Sequence, residues 1–419
     1  MSDSVAEIES GRLEGAREAG VSVFRNIPYA RAARFEPPRA TVFWARVRDA
    51  ARRGPVCPQA PSRLEMVSGP PPDEMAQSED CLVLTVTTPD KTGSRPVIAW
   101  LHGGAYVSGG GELAWYDAHT LAAEGEVVVV SITYRLGAFG YLWGEQEAGR
   151  NLGLADQAAA LAWIQRNISA FGGDPARVTL AGQSAGGHAI AALLASGERS
   201  FRRAIVASAP LGIWPDATTA GSFAAQIADA TGGDPSGVDA KTLLKAQGEV
   251  VAARREGLPV APVIEPEALT REGIDILAGW TRDDASPFVR LGLAGGGGGV
   301  LDLARVAPLT EELFAGPARA FAALPAGGAG TFLYRLDWRP PGSAFGACHV
   351  LDAALVFGGE AAWRRAPMLG EARWEDVDSL GRRVRAAWGA FAHGGDPSSK
   401  TGGVWPQWGP GDGARGLDL

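Results

Sequence analysis

The chain is short of three things: cysteine, histidine and long apolar runs. It has three cysteines and five histidines in 419 residues. Three thiols, Cys57, Cys81 and Cys348, are too few for a disulfide scaffold, and their spacing does not match a zinc site. Free thiols are expected, with no metal and no organic cofactor. No apolar segment is long enough to span a bilayer. The start, MSDSVAEIESGRLEG, has neither a basic cluster nor an apolar core, so no signal peptide is expected and the expected location is the cytoplasm. Dense basic runs are missing too. The net charge is −8, which removes nucleic acid and anionic membranes from the expected partners. A monomer acting on a small molecule is the expectation.

Glycine is abundant, with 57 residues, while apolar content is 46% and charged content 21%. These are the proportions of a globular protein. VIAWLHGGAYVSGGG and EVVVVSITYRLGAFGYL each open as a buried strand and end in glycine-rich turns. LADQAAALAWIQRNI reads as an amphipathic helix stopped by FGGDP. GIDILAGWT and GTFLYRLDW read as later strands, and a helix is expected around Leu380 to Ala392. Strands alternating with helices predict an α/β fold with a mostly parallel sheet covered on both faces. No linker divides the chain, so residues 1–419 are expected to form a single domain. The five glycines Gly295 to Gly299 read as a loop; no GK[ST] follows to make them a phosphate cradle.

One stretch carries chemistry. In VTLAGQSAGGHAI, Val178 to Ala181 reads as a short buried strand, GQSAG as a tight turn and HAIAALLASG as a helix. A G-x-S-x-G pattern is weak in a chain this rich in glycine. Strand, turn and helix in sequence are what a nucleophile elbow needs, and they point to Ser184. A serine hydroxyl needs a base to take its proton and an acid to orient that base. On this kind of fold the order is nucleophile, acid, histidine. His102 and His119 precede the serine. His188 sits on the helix leaving the elbow and reads as a packed or surface side chain. His393 ends a helix, where a cation suits the dipole. His349, in GACHVLDAALVFGG, is the candidate base. The acid falls on the turn after the strand Ile276 to Trp280, where Asp283 and Asp284 are adjacent and spacing does not choose between them. His102-Gly103-Gly104-Ala105 follows a strand and supplies backbone N–H groups for an oxyanion, with the N–H of Ala185 added from the elbow.

These residues resemble the type-B carboxylesterase family, which includes the bacterial para-nitrobenzyl esterases, animal carboxylesterases and cholinesterases. The resemblance runs nearly end to end, through FRNIPYA, SEDCLVLTV, LHGGAYVSGG, NLGLADQAAALAWIQRNISAFGGDPARVTLAGQSAGG, GWTRDDASPF and GACHVLDAALVFG. It implies the α/β-hydrolase fold and a serine esterase with a triad of Ser184, His349 and Asp284. Asp284 matches the family's acid, usually a glutamate, with Phe288 keeping the register. The oxyanion donors become Gly104, Ala105 and Ala185. Arg34 and Glu79 match a structural ion pair, and Cys57 and Cys81 match positions bridged in secreted relatives. Trp115, Tyr116, Trp214, Phe288 and Phe345 fall near segments that line the pocket in relatives.

The chain also departs from the family. Gln183 stands where a glutamate usually precedes the nucleophile. No tryptophan lies between Cys57 and Cys81 to receive a quaternary ammonium group. The segments that roof the site are trimmed, so a reduced helical cap is expected. The activity implied is hydrolysis of small apolar or aryl esters. An amidase or carbamate hydrolase, an acyltransferase, and a non-catalytic binding protein are the competing readings.

Overall fold

The computed structural model describes residues 4–144, 149–253, 258, 260–292, 303–400 and 403–417. The glycine run Gly295 to Gly299 lies outside them. A ten-stranded sheet organises the chain. Its strands are β1 (Ala16–Glu18), β2 (Val21–Pro28), β3 (Val83–Thr88), β4 (Arg95–Leu101) and β5 (Val128–Ile132). They continue with β6 (Gly173–Gln183), β7 (Arg203–Ala207), β8 (Asp275–Thr281), β9 (Thr331–Leu336) and β10 (Arg415–Leu417). Across the sheet the order is β10-β9-β8-β7-β6-β4-β5-β3-β2-β1. From β10 to β5 every neighbouring pair is parallel, and β3, β2 and β1 add an antiparallel edge.

The strand sequences explain this architecture. VIAWL in β4 and VVVSI in β5 are apolar at nearly every position because both faces are covered. Val97, Ala99 and Leu101 enter one apolar cluster, while Ile98 and Trp100 enter the other. Successive side chains on a strand point to opposite faces, so one short run feeds two cores. The helices are α1 (His119–Gly125), α2 (Leu152–Asn167), α3 (Ala185–Ala195), α4 (Ala217–Ala230), α5 (Ala240–Ala253), α6 (Leu351–Phe357) and α7 (Trp374–Gly394). Helices α2 and α3 cover the first face, and α1, α6 and α7 the second. Helices α4 and α5 pack together in the segment joining β7 to β8. No helix of the described residues is long and apolar enough to cross a membrane.

One expectation needs adjustment. Helix α2 is not a simple amphipathic surface helix, because Asp156 and Gln157 are fully buried with its apolar residues. The Asp156 carboxylate receives Arg135 Nε at 2.8 Å and Nη2 at 2.7 Å, and the same guanidinium donates to Glu36 O at 2.7 Å. A buried carboxylate is tolerated there because a fork of donors surrounds it. Cys57 and Cys81 are buried, unbridged neighbours, and Cys57 Sγ accepts from Leu136 N at 3.2 Å. Arg34 Nε donates to Glu79 at 2.8 Å, as the resemblance implies.

Candidate active site

Turns leaving the carboxyl ends of β4, β6 and β8, with the long loop that follows β9, bring the candidate residues together. This is the edge of a parallel sheet where backbone ends are free and ligands bind. Ser184 is the first residue after β6. Its φ is 55° and its ψ −122°, an unfavourable conformation for a residue with a Cβ. Its N–H donates to Ala207 O at 2.8 Å, and its carbonyl accepts from His188 N at 2.9 Å. These bonds fix the turn from both sides. Gly186 explains the spacing of the motif: a Cβ there would lie 2.0 Å from Leu101 O. Only glycine lets α3 leave the elbow so close to β4.

His349 follows the loop after β9 and is 1% exposed. Its Nδ1 lies 2.5 Å from Asp284 Oδ1. The two aspartates that spacing left open occupy different surroundings. Asp283 is committed to Arg339, whose Nε and Nη2 each donate at 2.6 Å, and it also accepts from Ala347 N. Asp284 is fully buried, and its second oxygen accepts from Ser208 Oγ at 2.7 Å and Thr281 N at 2.9 Å. Three donors on one carboxylate offset the cost of burying it. Val350, next to His349, has φ 77°, a left-handed conformation that is rare for a β-branched residue. Strained backbone thus accompanies both Ser184 and His349.

The imidazole of His349 packs against Phe288 and Phe314, with ring centroids 5.1 Å away in each case and the two phenyl rings 5.9 Å from each other. Its Nε2 faces Gln183 Nε2 at 3.2 Å. Among the described residues no hydrogen bond joins Ser184 Oγ to His349. Asp352, the second residue of α6, is 4% exposed, and its Oδ2 has no hydrogen-bond partner among the described residues. Burial, reinforced by the charge of Asp284, pushes its carboxyl up to about 7.

The turn after β4 is built for a negative charge. Gly104, Ala105 and Tyr106 have φ of 113°, 53° and 60°. Consecutive residues of this kind turn their N–H groups into a concave nest. His102 is buried, and burial holds its pKa down to about 4, so the ring is neutral. Its Nδ1–H donates to Gly103 O at 2.8 Å. That carbonyl belongs to the same planar peptide as the Gly104 N–H, so the bond orients that N–H. Tyr134 Oη donates to His102 O at 2.7 Å and fixes the preceding peptide. Ala185 opens α3, so its N–H has no partner within the helix.

Of the other histidines, His188 is buried. Tyr106 Oη lies 2.7 Å from its Nδ1, and its Nε2–H donates to Ile213 O at 2.9 Å. His393 contacts Gly125 O, and His119 pairs with Glu18. The aromatic pocket candidates divide. Phe288 packs on His349. Trp214 stacks on His188 at 3.7 Å. Phe345 is half-buried beside Arg290. Trp115 is a correction: it is 7% exposed, stacks on Trp363 at 5.6 Å and belongs to the core. Tyr116 packs on Trp100 and Phe357 in the same cluster. Ser208, Phe314 and Asp352 are functional neighbours that sequence patterns do not reveal. Ser208 leaves no signal beyond lying just after β7. Among the described residues no group of His, Cys, Asp and Glu could hold a metal ion.

Comparison with known proteins is consistent with this arrangement. Residues 2–293 match the model described as "Carboxylesterase family". The chain is 38% identical to the "Probable N-octanoylanthranilate hydrolase AqdA2" of Rhodococcus erythropolis, covering 95% of this chain and 94% of that one. It is 35% identical to the para-nitrobenzyl esterase of Bacillus subtilis (strain 168), over 96% and 92% of the two chains. A solved PNB esterase structure superposes with a TM-score of 0.86 at 33% identity, covering 97% of this chain and 94% of that chain.

Proposed function

The chain belongs to the carboxylesterase family, and from that premise we propose that it cleaves esters of small apolar or aryl character through Ser184, His349 and Asp284. It is a serine hydrolase acting on carboxylic ester bonds. The observation that carries the residue assignment is the 2.5 Å contact of His349 Nδ1 with the buried Asp284. That contact sits beside a serine held in a strained turn. Asp284 keeps the proton on Nδ1, which leaves the Nε2 lone pair as the base. Ser184 Oγ attacks the ester carbonyl carbon as its proton passes to Nε2, and the carbonyl electron pair moves onto oxygen. The N–H groups of Gly104, Ala105 and Ala185 receive that oxyanion. The tetrahedral intermediate collapses, the C–O bond to the alcohol breaks, and His349 Nε2–H protonates the leaving oxygen. Water then attacks the acyl-enzyme by the same proton path and releases the acid and Ser184. No cofactor enters.

Phe288, Phe314 and Trp214 supply an apolar wall, which favours apolar acyl or aryl groups. Three buried thiols without a bridge suit a reducing compartment, and we place the enzyme in the cytoplasm as a monomer. The test is hydrolysis of para-nitrophenyl esters from acetate to laurate by wild type and Ser184→Ala. Turnover of the shorter esters is expected, with a loss in the variant on the order of a millionfold in kcat. A folded wild type inert towards every ester, or a variant within tenfold of it, overturns the assignment. Added alcohol or amine acceptors report acyl transfer if free acid falls as conjugate appears.

A further inference from the structure

We infer that Gln183 caps the general base of the resting enzyme: its side-chain N–H occupies the His349 Nε2 lone pair that Ser184 has to use. The inference rests on Ser184 and His349 being nucleophile and base, and it adds a step to that reading. Asp284 Oδ1, 2.5 Å from Nδ1, takes the Nδ1 proton, so Nε2 carries the lone pair. Gln183 Nε2 lies 3.2 Å from that atom. Two nitrogens at this distance need a donor, and the amide N–H is the one available. Ser184 Oγ makes no hydrogen bond to His349 among the described residues, so the place it needs is taken.

The amide is held there. Gln183 ends β6 and is 3% exposed. Its Oε1 and backbone carbonyl lie against Gly103, where a Cβ would come within 2.7 and 2.9 Å of them. The side chain therefore bridges the base and the oxyanion turn.

The consequence is kinetic. The N–H···N bond stabilises neutral imidazole. Once Nε2 takes the Ser184 proton it can no longer accept, so the bond is absent from the transition state. An interaction present in the ground state and lost in the transition state slows the reaction. Gln183 is thus a positioning residue that restrains the base, and deleting its donor is expected to raise the rate. The other groups facing the imidazole are Asp284 from the turn after β8, Asp352 on α6 and the neighbouring thiol of Cys348. Phe288 and Phe314 pack against the ring, and Asp283 is engaged by Arg339. None of them donates to Nε2.

The test measures kcat, KM and the acid limb of kcat/KM for para-nitrophenyl butyrate in wild type, Gln183→Met and Gln183→Glu, with thermal melting alongside. Methionine keeps the length of glutamine and has no donor. Q183M is expected to raise kcat/KM about two- to tenfold, the worth of one such bond. The acid limb should move up by about half a unit to one unit, because neutral imidazole loses its stabiliser. Q183E places a carboxylate beside Nε2, favours the imidazolium and should move the limb further up. A slower Q183M with an unmoved limb means that Gln183 only props the imidazole, and the cap is wrong. If Q183M does not fold, Q183E decides alone: an unmoved acid limb overturns the cap. Loss of activity in Ser184→Ala with either of these results leaves the triad standing and removes the cap. Full activity in Ser184→Ala removes the triad itself.

Discussion

Replacing Asp284 by asparagine tests the site at its most buried point. The carboxylate accepts from His349 Nδ1 at 2.5 Å, Ser208 Oγ at 2.7 Å and Thr281 N at 2.9 Å. Asparagine offers one acceptor oxygen and one donor NH2 in that space. If the oxygen faces His349, the NH2 meets the Thr281 N–H, and a buried backbone donor is left unpaired at a cost of about 1–3 kcal/mol. If the amide turns over, its oxygen serves Thr281 and Ser208, and its NH2 donates to His349 Nδ1. The second arrangement pairs Thr281, Ser208 and Nδ1, with the Gln183 amide turned so that its oxygen accepts from Nε2–H, and it wins. It forces the imidazole proton onto Nε2, where it cannot accept from Ser184. Asp284→Asn is therefore expected to fold and to lose about ten-thousandfold in kcat, as a wrong tautomer does in a triad. The assay is burst and steady-state hydrolysis of para-nitrophenyl butyrate, with a thermal melt to confirm folding. A folded variant within about tenfold of wild type refutes the tautomer argument and the choice of Asp284.

Two further substitutions probe other parts of the site. Gly104→Ala puts a Cβ 2.0 Å from Ser108 O at a φ of +113°. The turn has to shift its N–H groups, and kcat should fall about a hundred- to thousandfold with little change in KM; an unchanged kcat would place the oxyanion elsewhere. Asp352→Asn reads out the buried carboxyl. Its folded pKa of about 7 lies above the ordinary 3.8, so the unfolded chain binds fewer protons between these values, and stability falls as pH rises through that window. Asn removes the dependence. Urea melts should find the variant more stable than wild type at about pH 8, by on the order of a few kcal/mol, and no more stable near pH 4. Equal stabilities at both pH values would mean that Asp352 is charged in the folded protein at no cost.

Much of the site is legible in the amino-acid sequence. Ser184 stands out because a strand, a glycine-flanked turn and a helix are all local, and local geometry is written in consecutive residues. His349 follows from chain order once only five histidines compete. The same holds for the parallel sheet, since apolar strands such as VVVSI are stable only between two covered faces. The choice between Asp283 and Asp284 is legible by resemblance, not from their own surroundings. Adjacent residues on a turn point in different directions, and what each meets is fixed by distant segments. Arg339 and Ala347 claim Asp283, while Ser208 and His349 claim Asp284.

The aromatic candidates divide for the same reason. Trp115 and Trp214 look alike in sequence, yet one stacks on Trp363 in the core and the other on His188. Gln183 is visible as a departure, but its contact with Nε2 is not, because that contact joins residues 166 positions apart. The sequence by itself determined the fold class and pointed to a candidate nucleophile and a candidate base, through hydrophobic periodicity and turn chemistry that act over a few residues. The tertiary structure decided which carboxylate and which amide lie against His349. Both depend on distances of about 3 Å between side chains carried by different strands, and only packing sets those distances.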